Sequence, residues 1–482
     1  MRRFLLIAAL FAATPALADP LRRDLYVGVN LVDPKRETIT PDSYILVENG
    51  RIAAIGRGRP AAARGATLHD FAGLYALPGL IDTHAHLTLG PVQVLREPAP
   101  PRMRIAYDEA ITAHAGRMFL SYGVTTVRNP GGDPEQARAY EAALAAGTLQ
   151  GPEMRWAAEV IDRQTLPFEG LVAQVTPETP VAEIVRRQAA AGADYVKLYI
   201  SLTEAEVREG VDAAHALGLQ VIAHLDDVSW TRAAELGVDA LVHAIPSSPD
   251  LLPAERRAAF AAARQPGSFT WVQWYEAADF DAPEMRDMMR TLAERRVHFD
   301  ATLIAFEPAF FGNDPARPSR DAALAHPAMV ENWRTLFRFD LAWTPDYYRR
   351  AQVQWPRLLE LTGRMHAAGV PMTIGTDFGN PWVAPGLSMS QEMALHQQAG
   401  IPAWAVLRMA TSDAARLIGL GHRTGALQRG LEADIVFIAA NPLPDLNRVA
   451  EVRAVVNNGV LYRPVDLRQA QSRGTRAQGN PR

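Results

Sequence analysis

The stretch Leu77-Pro78-Gly79-Leu80-Ile81-Asp82-Thr83-His84-Ala85-His86-Leu87 constrains this chain more than any other. A short apolar run entered through a Pro-Gly turn ends in two histidines one residue apart. On a strand successive side chains point to opposite faces, so His84 and His86 project from the same face. Two imidazoles side by side at a strand end suit a borderline divalent metal such as zinc. His-x-His pairs also arise by chance in structural strands, so the rest of the chain decides between the readings.

At 482 residues the chain is long enough for a large α/β domain with an accessory domain. Its net charge of −4, with no basic run, speaks against nucleic acid or an acidic membrane surface as partner. Cysteine is absent, which removes disulfides, thiolate nucleophiles and sulfur ligands together. Any metal must be held by nitrogen and oxygen.

Residues 1–18 read as an export signal: Arg2 and Arg3 lead an apolar core from Phe4 to Ala13, and Ala16-Leu17-Ala18 offers a small-x-small cleavage site. The apolar run is short for a bilayer span. The expectation is cleavage before Asp19 and a periplasmic or secreted mature protein without a membrane span.

From Leu25 to Phe71 the pattern is short strands and turns, including an Asn49-Gly50 hairpin turn. The same texture returns in Ala433–Pro442 and Val452–Arg463. Residues 19–75 and 424–465 are therefore expected to build one small β-sandwich from both ends of the chain. Between them, over 76–423, strand-like and helix-like stretches alternate, which argues a parallel sheet with helical crossovers. Eight strand candidates, near Leu80, Val124, Met154–Val160, Val196, Val221, Leu241, Val297–Leu303 and Thr373, match the count of a (β/α)8, TIM-like barrel.

Two segments, 245–296 and 305–350, are too long for ordinary βα connections and carry Trp271, Trp274, Phe310, Phe311, Trp333 and Trp343. Long loops on the catalytic face of a barrel commonly serve as lids. Aromatics in such number equally form the core of an inserted helical subdomain. The polar tail 466–482 is expected to be disordered.

Five positions at the expected C-terminal ends of strands carry chemistry: the pair His84 and His86, then Lys197, His224, His243 and Asp377. Their order, together with PGLIDTHAHL, GVTTVRN, GADYVKLY, GTD, ATSDAARLIGL and GALQRGLEADIVFI, resembles the amidohydrolase superfamily, in its prolidase-like and imidazolonepropionase-like branch. The resemblance implies two divalent metal ions, zinc being the expected one. His84, His86 and Asp377 would hold one ion and His224 and His243 the other, with Lys197 bridging them as a CO2-derived carbamate. It further implies hydrolysis of a C–N bond in a small-molecule amide, peptide, N-acyl amino acid or cyclic amide by water activated between the metals. Asp377 would act as general base and then acid. Taken alone, Asp377 also reads as a helix-capping aspartate.

Composition supports Lys197 independently. Of 49 basic residues only Lys35 and Lys197 are lysines. Arginine stays charged, whereas a buried lysine can present a neutral amine. A lysine paired with Asp194 is the plainer alternative. One position departs from the resemblance: Asp226 stands two residues after His224, where many relatives of this branch carry tyrosine. Asp226 could favour a cationic substrate group, or, with Asp227, cap the helix that follows. Competing readings are a single-metal deaminase using Asp227, a lactone or ester hydrolase on the same fold, and an exported metal-dependent binding protein. Homo-oligomerisation is left open.

Overall fold

The computed structural model describes residues 22–474 except 59, 61–62, 98–101, 164–167, 266, 315–320 and 341. The expected signal sequence and its cleavage site lie outside the described residues, as does the end of the tail.

Strands from both ends of the chain share one eight-stranded sheet. Arg23–Asp33, Thr38–Glu48 and Arg51–Arg57 form an antiparallel meander. Its second turn has Asn49 at φ 48° and Gly50 at φ 79°, the double positive φ that makes Asn-Gly the preferred two-residue hairpin turn. Ile435–Ile438, Val452–Asn457 and Val460–Tyr462 continue the sheet from the far end of the sequence. Tyr75–Pro78 joins the two groups, pairing parallel with Arg23–Asp33 and antiparallel with Ile435–Ile438. Tyr26, Ile45, Phe71, Phe437 and Val456 pack as its core. The strand that joins the two halves of this sheet thus runs, through Gly79, straight into the histidine-bearing stretch.

The rest is an α/β unit of eight parallel strands: β1 (Leu80–Asp82), β2 (Val124–Asn129), β3 (Glu153–Trp156), β4 (Tyr195–Leu198), β5 (Gln220–Ala223), β6 (Ala240–Val242), β7 (His298–Asp300) and β8 (Met372–Thr373). Nearly every residue in them is buried, as strands covered on both faces must be. The ladders form two sheets, β3-β2-β1 and a longer one in which Val172–Gln174 and Val160–Asp162 precede β4 to β8, rather than one unbroken ring. Backbone bonds link their margins: Asp194 N to Trp156 O at 2.9 Å on one side and Thr83 N to Ile374 O at 3.0 Å on the other. Crossover helices begin at side-chain caps, such as Asp108 before Glu109–Ser121 and the Thr203/Glu206 capping box before Glu204–Ala216.

The expected third strand, Met154–Val160, divides into β3 and a separate strand, Val160–Asp162. A β-hairpin, Val92–Leu95 with Arg102–Ile105, precedes the helix that ends at Ser121 and had no counterpart in the sequence reading. The tail expected to be disordered from 466 begins instead as the helix Pro464–Gly474. Leu467 is buried, and Arg468 lies 4.3 Å over the Tyr122 ring and bonds Ser121 Oγ at 3.1 Å. One apolar residue and a cation–π contact dock a segment whose composition reads as solvated. Among the described residues no helix is long and apolar enough to cross a membrane.

Candidate metal centre

Strand ends gather the sequence-predicted residues at one point. His84 Nε2 and His86 Nε2 lie 3.4 and 3.5 Å from Asp377 Oδ1, and His243 Nδ1 lies 3.7 Å from Asp377 Oδ2. The His243 ring is centred 4.9 Å from His84 and 4.5 Å from His224. Lys197 is 2% exposed and opens with all four histidines and Asp377 into the same cavity. One ligand atom each of His84, His243 and Asp377 lie within 4.8 Å of one another, an arrangement that fits a metal ion.

Backbone geometry at this point is costly. His243 (φ 70°), Thr302 (φ 47°) and Asp377 (φ 56°) all occupy the left-handed region, which non-glycine residues adopt only where their surroundings hold them. The glycine of Gly375-Thr376-Asp377 has a steric reason: a Cβ there would sit 2.3 Å from Asp300 Oδ2 and 2.5 Å from His84 Cβ. β8 can lie against β1 only if it carries no side chain at that step.

Protonation favours ligation. Burial pushes His86 down to about 4 and His224 to about 3, and holds His84 and His243 well below the usual imidazole value. All four are neutral near pH 7, the form that binds metal. The Lys197 charge lowers each of them further, which places it electrostatically beside all four. Burial in turn lowers the Lys197 ammonium and raises the Asp377 carboxyl, while their mutual attraction opposes both shifts. Both ring nitrogens of His84, and Nδ1 of His224, are buried without a hydrogen-bond partner. A neutral imidazole with neither nitrogen engaged is expensive in a core, and an ion on the lone pair removes that cost. The donor set fits a divalent metal.

Beneath this point lies a layer that the sequence reading missed. Arg128, 3% exposed on β2, donates from Nε to Thr83 O at 2.7 Å and lies 3.8 Å from Asp300. Asp82 accepts from Thr376 Oγ1 at 2.7 Å and from the amides of His84 and Thr376 at 3.1 Å, tying β1 to β8. The Glu392 side chain accepts from Leu303 N at 2.9 Å and Ile304 N at 2.6 Å, capping the helix Leu303–Phe310. That cap holds Thr302, whose hydroxyl bonds His243 Nδ1 at 2.8 Å. His86 is oriented likewise by Gly131 O at 3.0 Å from its Nδ1. An arginine inside the apolar strand of GVTTVRN was the one sequence signal for this layer.

The cavity measures about 860 Å³. The aromatic residues of the long insertions divide between the two sequence readings. Trp274, Phe310 and Trp333 are core, at no more than 1% exposed, whereas Trp271 and Trp343 line the cavity. Asp194 pairs with Arg155 at 2.6 Å, so it is not the partner of Lys197. Asp226 lines the cavity but is engaged by the Ser247 hydroxyl and by Arg264 at 3.5 Å. Asp227 is 70% exposed and outside the cavity lining, so it cannot serve the deaminase alternative.

Residues 358–461 match the family described as Amidohydrolase family. A dihydroorotase of Geobacter sulfurreducens is 30% identical over 222 residues, 42% of this chain and 43% of that protein. The chain spans less than half the length of the first curated relatives it matches. Among solved structures, a Xaa-Pro dipeptidase with bound methionine aligns over 92% of this chain and 100% of its own, with TM-score 0.65 and 21% identity. Bottromycin amidohydrolase aligns over 96% and 92%, with TM-score 0.69 and 23% identity. At these identities the structural likeness concerns the fold, a TIM-barrel-like α/β architecture. Over residues 358–461 the chain thus matches the amidohydrolase family, its fold is shared with solved amidohydrolase structures, and its histidine–aspartate cluster suits a metal ion.

Proposed function

We propose that this protein is an exported hydrolase that cleaves the C–N bond of a small-molecule amide with two divalent metal ions. We read its eight parallel strands as one (β/α)8 barrel bearing the site at the strands' C-terminal ends, and the sheet built from both termini as a β-sandwich beside it. The observation that carries the reading is the partnerless, fully buried His84 ring set against Asp377 and His243.

In this reading His84, His86 and Asp377 would hold one ion and His224 and His243 the other, with carboxylated Lys197 as a ligand available to both. When bound, the ions supply Lewis-acid polarisation of the scissile carbonyl and make water acidic near neutral pH. The chain does the rest. Burial favours the neutral Lys197 amine, whose nitrogen bonds the carbon of CO2 and loses a proton to give the carbamate. Asp377, its carboxyl raised by burial, takes the proton of the attacking water and returns it to the leaving nitrogen. Thr302 and Gly131 fix the rings of His243 and His86.

The test is metal analysis of the purified protein alongside assays on neutral amides, dipeptides, N-acyl amino acids and lactones. About two ions per chain with amide turnover is the expected result. Turnover of lactones alone would move the reaction to C–O bonds, and ligand binding without turnover would make the protein a binder. Zinc with acetate should restore part of the activity of Lys197→Ala by occupying the vacated bridge.

A further inference from the structure

Away from the metal centre the cavity has two walls. One is a file of rings that starts at the centre itself. Phe306 lies 6.0 Å from His243, Trp271 lies 5.3 Å from Phe306, and Phe339 lies 5.7 Å from Trp271. Phe337 follows 5.9 Å from Phe339. Phe306 is 3% exposed, while the outer three rings are half-buried and face the cavity. The opposite wall is aliphatic: Leu89, Val92 and Ile105 cluster with Met103 and Leu171, on and around the paired strands Val92–Leu95 and Arg102–Ile105. Leu336 and Phe337 pack against this cluster, so the walls meet at the far end.

Charged groups among the lining residues outside the metal centre are Arg264, Asp226 and Arg338, and each already has a partner. Arg264 lies 3.5 Å from Asp226 and 3.9 Å from Asp227, and its Nε donates to Thr270 Oγ1 at 3.2 Å. Arg338 makes two parallel bonds of 2.8 Å to Asp340. A substrate carboxylate would have to pull Arg264 from Asp226 and leave that largely buried acid unpaired, or break the Arg338 fork. A substrate ammonium meets the same obstacle at Asp226. The volume, about 860 Å³, lies in the upper part of the range for drug-sized ligands, roughly 300–1,000 Å³.

We propose that the substrate is a neutral, elongated amide with an apolar arm lying along the file from Phe306 to Phe337, and that dipeptides and N-acyl amino acids with a free carboxylate are disfavoured. This rests on the amide-hydrolase reading above. The recognition energy comes from burial of apolar surface between rings and aliphatic side chains. The paired arginines act by exclusion, since charge on the substrate finds no free counter-charge.

The test uses the zinc-loaded full chain with N-octanoylglycinamide against N-octanoylglycine, which share the same scissile bond and differ in charge. An acyl series from acetyl to octanoyl glycinamide measures the apolar arm. Ketone isosteres, with CH2 in place of the scissile NH, bind without being cleaved, and quenching of Trp271 and Trp343 fluorescence reads their binding. The neutral member should be favoured at least about tenfold in both kcat/KM and binding, and each methylene should add up to roughly fourfold. Asp226→Asn, which frees Arg264, should move the ratio toward the carboxylate. Trp271→Ala should flatten the acyl series. Equal or tighter binding of the carboxylate, a flat series in the wild type, or no binding of any isostere would overturn the inference. Selective binding of the neutral isosteres without turnover of any amide would leave it standing and remove the hydrolase reading instead.

Discussion

At the floor of the cavity ionisable groups lie buried at and around the ends of short strands; along its wall rings lie half-buried on an inserted helix and the irregular chain after another. His84, Asp82, Asp300 and Glu392 are all at most 1% exposed, and His243 and Asp377 take left-handed backbone. Trp271, Phe337 and Phe339 have no left-handed backbone and are half-buried. The floor is dense with polar groups that need partners, and most of its energy goes into holding them in place. Its chemistry is therefore fixed by a few irreplaceable atoms. The wall is held by dispersion and burial, so its specificity is graded and each ring contributes a share. On the proposed function, reaction type belongs to the floor and substrate choice to the wall.

The largest effect that would break this division is at Lys197. Lys197→Arg places a permanent cation among four neutral histidines, and we expect metal content and activity to be lost together. Metal analysis and turnover measured on the same preparation check this, and a fully loaded, active variant would remove Lys197 from the bridge. Asp377→Asn should lower kcat about 10²–10⁴-fold while keeping much of the metal. Because Asp377 must be ionised to accept the proton, the wild-type rate should show an acid limb, the proton acceptor being lost as pH falls. The Asn variant should lack that limb. The wall's chain-length preference should not follow it.

A pair of tryptophans sharpens the comparison on stability. Trp274 is 1% exposed and donates its Nε1 to Ser248 O at 3.0 Å, whereas Trp271, one turn away, faces the cavity. Trp274→Ala should cost about 3–5 kcal/mol in denaturant unfolding. Trp271→Ala should cost clearly less and appear mainly in KM. If both cost the same, the wall is core after all. The smallest effect is expected for Glu392→Gln, which replaces one of two carboxylate acceptors by an amide. It should cost about 1–3 kcal/mol of stability. Through Thr302 it should also weaken metal retention in a chelator titration, which loss of packing alone would not do.

What the sequence determined is local and periodic. The β1 run, the Asn49-Gly50 turn and the alternation of strand and helix follow from side-chain direction, turn chemistry and apolar spacing. These need only neighbouring residues. The candidate ligands could be marked because a histidine, a lone lysine or an aspartate at a strand end stands out from an apolar background. The partners of those residues were not legible. Arg128 serves Thr83, Glu392 serves Thr302, and Asp226 is met by Arg264, and each pair is separated by tens of residues in the chain. The helix Pro464–Gly474 and the paired strands Val92–Leu95 and Arg102–Ile105 pack on surfaces that no local propensity reports. Trp271 and Trp274 differ by three positions in one helix, yet only tertiary packing turned one toward the cavity and the other into the core. Which side of a helix faces a void depends on what the rest of the fold leaves unfilled, and that is decided by long-range contact.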